Sequence, residues 1–280
     1  MIPVIIKMGY IRSIFCFLLI CLFGSGVYAQ TPEVGVIAGG AGYMGDLNQD
    51  NPLKISGLSA GAFVKLNLDP YWNIGLHYTY ARIKGNDSLS NNAQFRERNL
   101  RFFTPISEVS IQGEFNFFDY FAGGGRRSFS PYIFTGISGF FFNPKTKINN
   151  NSNVVSLAYY RTEGQADAYK QYGISIPYGV GAKIRFRENW SLFGQVGYRT
   201  AFTDYLDDVS GYYPDPETPT WPVDTNLPIR QLLSDRSGET TGVYIGAKHT
   251  QRGDLRKRDT YMFAGIGISF TFVSQKCYTF

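Results

Sequence analysis

The stretch from Tyr172 to Arg199, YGISIPYGVGAKIRFRENWSLFGQVGYR, limits the possible folds of this chain more than any other. It reads as two alternating strands joined by a tight turn at Glu188 and Asn189. On the first arm Ile174, Ile176, Tyr178, Val180, Ala182, Ile184 and Phe186 share one face, and Gly173, Ser175, Gly179, Gly181, Lys183 and Arg185 share the other. The second arm sets Trp190, Leu192, Val196 and Tyr198 against Ser191, Gln195, Gly197 and Arg199. A soluble sandwich also alternates, but its polar face is wet and rarely so rich in glycine. An apolar, aromatic face opposite a small, polar one is the pattern of a strand held between lipid and a barrel lumen.

The same pattern recurs along the chain. Glu33 to Tyr43 is a strand whose small residues leave its inward face ambiguous. Leu58 to Leu68, Trp72 to Ile83, Phe103 to Phe117, Ser128 to Phe142 and Asp259 to Phe272 complete the set. In the last of these Met262, Ala264, Ile266, Ile268, Phe270 and Phe272 point outward. With the opening hairpin this predicts an all-β protein, an eight-stranded antiparallel transmembrane barrel. An even number is what single-chain outer-membrane barrels require. Short connections near 69–71, 118–127 and 187–189 alternate with long ones at 44–57, 84–102, 143–171 and 200–258. In such barrels short turns face the periplasm and long loops the outside. DPYWNIGLHYTY (69–80) echoes ENWSLFGQVGYR (188–199), each a tight turn followed at once by a Trp, which puts both turns on one side. Val154 to Thr162 and Thr240 to Lys248 also alternate, weakly, and a ten-stranded count would include them. They are expected as extensions or hairpins outside the bilayer.

The first 29 residues read as a signal peptide. Lys7 and Arg12 precede the apolar run Ile14 to Phe23, and Val27 and Ala29 occupy the two small-residue positions before cleavage at Gln30. Cys21 suggests a lipoprotein signal only if a small residue precedes it, and Ile20 stands there. Residues 30–280 are then the barrel domain, retaining Cys277 alone, so no intrachain disulfide can form. Loss of Lys7 and Arg12 takes the formal charge from +5 to +3, too mild for a nucleic-acid partner. Aromatic residues make up 16%, yet mean hydropathy is only −0.17, which excludes a bundle of apolar spanning helices. The expected location is the outer membrane, with its lipid as the first partner.

An eight-stranded barrel is only wide enough for its own side chains. Six charges are predicted inside, Lys65, Glu108, Glu114, Lys183, Arg185 and Arg199, and buried charges must pair. The expectation is a salt-bridged plug with no open pore. His77, Glu108 and Ser110 also point inward, which raises a hydrolytic His–Ser–acid arrangement acting on lipid. No nucleophile elbow accompanies it, and His77 reads better as a polar lumen residue. There is no His or Cys cluster for a metal. Asp204, Asp207 and Asp208 lack the spacing of a calcium-binding EF loop. No catalytic, cofactor or metal site is assigned.

Residues 200–258 are too many for a passive connection, and function concentrates on such loops. Asp204, Tyr205, Asp207, Asp208, Tyr212, Tyr213, Ser234, Asp235 and Arg236 are its candidate partner contacts, with a cap over the barrel mouth as the other use of the loop. Either an adhesin or a structural barrel fits this. GDLN (45–48), RNLRF (98–102), EFNFF (114–118), PYIFTGI (131–137), TDYLDDVSGYYPDP (203–216), LSDRS (233–237), QRG (251–253) and YMFAGIGISF (261–270) together resemble the DUF6089 family. These are PorG-like outer-membrane barrels associated with type IX secretion. The resemblance implies a non-enzymatic component of a secretion apparatus that contacts periplasmic lipoprotein ring subunits and holds them to the membrane.

Overall fold

The structure is a computed structural model and describes residues 31–120, 127–148, 153–215 and 227–273. The segment expected to be a signal peptide, Cys277 and most of the glycine-rich turn at 119–127 fall outside them. No helix among the described residues is long and apolar enough to cross a membrane.

Eight strands close into a barrel: β1 (Thr31–Met44), β2 (Ile55–Asn67), β3 (Trp72–Asn86), β4 (Arg101–Asn116), β5 (Phe129–Phe142), β8 (Tyr172–Arg187), β9 (Trp190–Ala201) and β10 (Thr260–Thr271). Each pairs antiparallel with two neighbours, and β1 against β10 closes the ring, from Glu33 opposite Thr271 to Met44 opposite Thr260. Closure leaves none of the eight with an unpaired edge. The two remaining strands, β6 (Lys145–Lys147) and β7 (Val154–Ser156), form a small ladder that touches β4 at Phe103. A short helix, α1 (Ala93–Arg98), lies in the connection before β4, and the residues after β7 turn into another, α2 (Leu157–Tyr160). The run at 240–248 begins in a further short helix, Gly238–Thr241, which ends at Gly242 with φ 73°, and contains no strand. The eight-strand count therefore holds over the ten-strand one.

Sequence explains the hairpins directly. Between β2 and β3 the Asp69 Oδ1 accepts from the amides of Tyr71 and Trp72, both at 2.7 Å, fixing the turn. Only Glu188 and Asn189 separate β8 from β9. The apolar positions of each strand form a belt on the outer wall: Leu76 is 54% exposed, Val180 60% and Ile266 67%. Along β3 this belt runs from Trp72 to Tyr80, roughly 27 Å of strand, which a typical tilt reduces to roughly 20 Å of height. Trp72 with Phe115, and Trp190 with Phe270, cluster at the short-turn end at centroid distances of 4.8 and 5.0 Å. Met262 departs from expectation. It keeps outward parity but is only 2% exposed, because the segment around Lys54 folds over it and Gly42.

The hydrophobic core sits high, at the long-loop mouth. Tyr43, Ile83, Phe102, Ile106, Phe140 and Phe263 from the strand ends pack against Leu47, Leu157, Leu206, Val209 and Leu233 from the loops. The loops thus form a cap with a core continuous with the upper barrel.

Candidate functional site

Two buried polar systems fill the molecule, one in the lumen and one in the cap. In the lower lumen Glu114 holds two lysines: Lys65 Nζ bonds Oε1, and Lys183 Nζ lies 3.3 Å from Oε2. Lys65 also sits 4.3 Å from the Phe63 ring centre, and Lys183 5.0 Å from that of Tyr132. Nearer the cap Glu108 accepts from Tyr261 Oη at 2.7 Å and lies 3.5 Å from Arg199 Nε, whose guanidinium covers the Phe263 ring. Arg185 shares the inward face but is only half-buried, lower down near Tyr120. The six expected lumen charges therefore form two clusters and one outlying arginine. Between the clusters Phe63 stacks on His77 at 5.1 Å and meets Phe193 edge-on at 5.4 Å. Inward glycines make room for rings: a Cβ on Gly181 or Gly267 would collide with Tyr132 or Phe193.

His77 lies opposite Ser110 in the β3–β4 ladder, but no hydrogen bond joins them among the described residues. Ser110 Oγ instead accepts from Gln112 Nε2 at 2.7 Å, and Glu108 is committed to Arg199 and Tyr261. A hydrolytic triad is not assembled.

In the cap the loop residues expected at a partner surface face inward. Asp204, Asp207, Asp208, Tyr213, Ser234, Asp235 and Arg236 are all buried, Tyr205 is half-buried, and only Tyr212 is widely exposed. Charge pairing holds Asp208 and Arg236 there, and hydrogen bonds hold Asp204, Asp207 and Asp235. Arg252 Nη1 lies 3.0 Å from Glu163, its Nη2 lies 3.7 Å from Asp208, and its Nε donates to the Ser234 carbonyl at 3.0 Å. Asp208 also accepts from Thr162 and from Tyr169, which stacks on Tyr205 at 4.4 Å. Asp235 accepts from the amides of Ser237 and Gly246. A second arginine, Arg98 at the end of α1, grips both oxygens of Asp87 at 2.6 and 2.9 Å. Its Nη1 donates to the Arg252 carbonyl at 2.5 Å, and its Nη2, besides bonding Asp87, donates to the Asp46 carbonyl at 3.1 Å. Asn99, in the left-handed conformation at φ 58°, donates to the Arg236 carbonyl.

Burial shapes the carboxylates of this region. It raises Asp208 to about 6, opposed mainly by Arg252, and Asp204 to about 7, opposed by a hydrogen bond from Ser210. Asp46 is likewise raised to about 7, first by burial and then by Asp254.

A family model described as Domain of unknown function (DUF6089) matches residues 12–219. The chain belongs to the DUF6089 family. Among solved structures it is similar to a major outer membrane protein from Thermus thermophilus, at 12% identity, covering 87% of this chain and 100% of that one, with a TM-score of 0.44. It is also similar to the N-terminal β-barrel domain of Pseudomonas aeruginosa OprF, at 12% identity, 86% and 97% coverage and a TM-score of 0.36. Ail, the attachment invasion locus protein of Yersinia pestis, solved with a heparin analogue, gives 8% identity, 87% and 99% coverage and 0.40. No curated protein matches.

In this DUF6089 chain the motifs that are scattered in sequence meet in the cap. Arg98 of RNLRF touches Asp46 of GDLN and Arg252 of QRG, and Arg252 reaches Ser234 of LSDRS and Asp208 of the TDYLDD run. Sequence reasoning missed several members. Glu33 lies opposite Lys65 across β1 and β2 and accepts from Asn67 at 3.2 Å, making a second acid near the two lumen lysines. The uniform small residues of β1 gave no alternation to reveal it. Arg98 and Arg252 stand in the sequence only as members of the RNLRF and QRG motifs, with nothing to assign their partners.

Proposed function

We propose that this DUF6089 protein is a non-enzymatic outer-membrane barrel that anchors or organises a type IX secretion (gliding-type) complex. The observation that carries the reading is a lumen filled by paired charges and stacked rings inside a continuous apolar belt. Such a barrel can hold a position in a membrane but offers no conduit. The belt, with its Trp72 and Trp190 clusters at one rim, is suited to lipid. With the short turns on the periplasmic side, Asp69 to Tyr71, Glu188 and Asn189 are the surface that lipoprotein ring subunits would meet. The link to type IX secretion rests on the family resemblance. Crosslinking in outer membranes, followed by purification of this chain, is expected to recover a periplasmic ring subunit, and a deletion strain is expected to lose secretion of a type IX cargo. Recovery of no ring subunit together with normal secretion would remove the anchoring role.

A second reading, a surface adhesin, is favoured by the run Val243, Tyr244 and Ile245, which the cap leaves exposed. Changing all three to Ser should then abolish surface binding without loss of secretion, whereas the anchoring reading predicts no change in adhesion. For the lipid-hydrolase alternative, His77→Ala is expected to leave lipid A and phospholipid profiles unchanged.

A further inference from the structure

Above the seam where β1 meets β10, three carboxylates from distant parts of the chain converge. Asp46 follows β1 by two residues, Asp259 immediately precedes β10, and Asp207 comes from the long loop. All three are at most 2% exposed, and each offers an oxygen within 4.8 Å of the others. Two oxygens bound to one calcium ion stand no farther apart than about 5 Å, so the three already fit one coordination sphere.

Their remaining contacts hold the carboxylates in place without neutralising them. Asp207 accepts from the Val209 amide at 2.9 Å and from Tyr43 Oη, and Asp259 Oδ2 accepts from the Leu206 amide at 3.0 Å. Asp46 Oδ1 accepts from the Asp254 amide, while its Oδ2 is buried without a hydrogen-bond partner. Among the described residues no Lys or Arg forms an ion pair with any of the three. Arg98 hydrogen-bonds the Asp46 main-chain carbonyl rather than its carboxylate and pairs with Asp87, though its charge also acts on Asp46 from nearby, and Arg252 pairs with Glu163 and Asp208. Elsewhere in this molecule Glu114, Glu108, Asp87, Glu163 and Asp208 each have a cationic partner, while Glu33, Asp204 and Asp235 stand singly and are held by neutral hydrogen-bond donors. Three buried acids with an orphaned oxygen and no ion-paired partner among the described residues call for a cation.

We infer that Asp46, Asp207 and Asp259 bind a hard divalent cation, calcium by size and by the all-oxygen donor set, with water completing its shell. The ion would tie the first and last barrel strands to the long loop and so lock the cap onto the closing seam. The site is independent of any role in secretion.

The test uses the full mature chain refolded in a zwitterionic detergent free of lipopolysaccharide, since lipopolysaccharide itself binds calcium. Terbium, excited through Tyr43, is expected to give a saturable luminescence that calcium displaces. Exposed Arg256, Lys257 and Arg258 lie beside Asp259, so trypsin should cut there about tenfold more slowly with calcium at about ten times its dissociation constant than in EDTA. The double variant Asp207→Asn/Asp259→Asn should lose both responses while keeping the barrel's heat-modifiable gel mobility. If that variant does not fold, Asp46→Asn, which keeps an acceptor for the Asp254 amide, should weaken calcium binding at least tenfold. Folded wild-type protein without terbium luminescence, equal cleavage in calcium and EDTA, or variants that respond as wild type would each overturn the site. A response to magnesium equal to that to calcium would overturn the assignment to calcium.

Discussion

The lumen and the cap both bury charge but stabilise it differently. In the lumen, Glu108 and Glu114 lie on a strand whose alternation delivers them to lysines or an arginine on other walls, and aromatic rings fill the space between. In the cap, arginines from loops collect main-chain carbonyls as well as carboxylates, and one group of acids has no ion-paired arginine among the described residues. A strand constrains its side chains by register, so pairing there needs only the right residue at the right parity. A loop has no register, and its polar groups must be satisfied one by one by tertiary contacts.

The largest test of this difference is Glu114→Gln. It strips the shared negative charge from Lys65 and Lys183, both at most 5% exposed, and leaves Glu33 as the acid opposite Lys65. Removing one partner from a buried ion cluster typically costs about 3–5 kcal/mol. The urea midpoint of the refolded barrel in liposomes should fall accordingly, and an unchanged midpoint would mean that the lumen is wet. In the cap, Arg252→Met should cost less, about 2–3 kcal/mol, because Glu163 keeps the amides of Ser210 and Gly211 and Asp208 keeps two hydroxyls. Its effect should be local. Proteolysis within 202–259 should accelerate while heat-modifiable mobility of the barrel persists, and a parallel loss of both would mean that cap and barrel unfold as one unit.

What could be read from sequence follows the same division. The strands were legible because every second residue from Leu58 to Leu68, or from Val109 to Phe117, is apolar or small and faces outward, as the exposure of Val64 and Ile111 bears out. Met262 misled because burial there is set by a loop folding back, which parity cannot foresee. Thr240 to Lys248 alternates in composition, yet Gly242 takes a positive φ and turns the chain. The cap cluster was invisible for a topological reason. Asp46 and Asp259 become neighbours only because β1 closes against β10, and Asp207 reaches them only through the folded loop. The acids noticed together, Asp204, Asp207 and Asp208, part ways in space, with Asp208 paired to Arg252 and Asp204 bonded to Ser210.

A smaller effect, of order 1 kcal/mol after allowance for solvent screening, is expected from pH. Asp204 is raised to about 7 by burial, with Asp254 and Glu163 adding to the rise and Ser210 opposing it. A raised folded-state value means that the folded cap favours the protonated acid. Its stabilising contribution is complete below about pH 4 and lost as pH rises through about 7. In EDTA, hydrogen exchange of the Thr203 to Ser210 amides, corrected for intrinsic rates, should be slower near pH 5 than at pH 8, and Asp204→Asn should flatten the profile. The opposite slope would indicate that Asp204 is ionised and paired in the fold.

The smallest expected change is at Lys183. Lys183→Ala, read from alternation, removes a lysine and strands a carboxylate. In the structure Glu114 still holds Lys65, so the apolar, similarly sized Lys183→Met should cost about 1 kcal/mol or less in the urea midpoint, since it removes one desolvated cation and leaves a one-to-one pair. The ratio of the two costs is the informative quantity. If Glu114→Gln and Lys183→Met cost the same, then the carboxylate is not shared and Lys183 is its main partner. If Lys183→Met is neutral and restoring neutrality with Lys65→Met in the Glu114→Gln, Lys183→Met background regains most of the lost stability, the lower lumen charges contribute through mutual compensation alone, and an apolar plug of the same volume would hold the barrel as well.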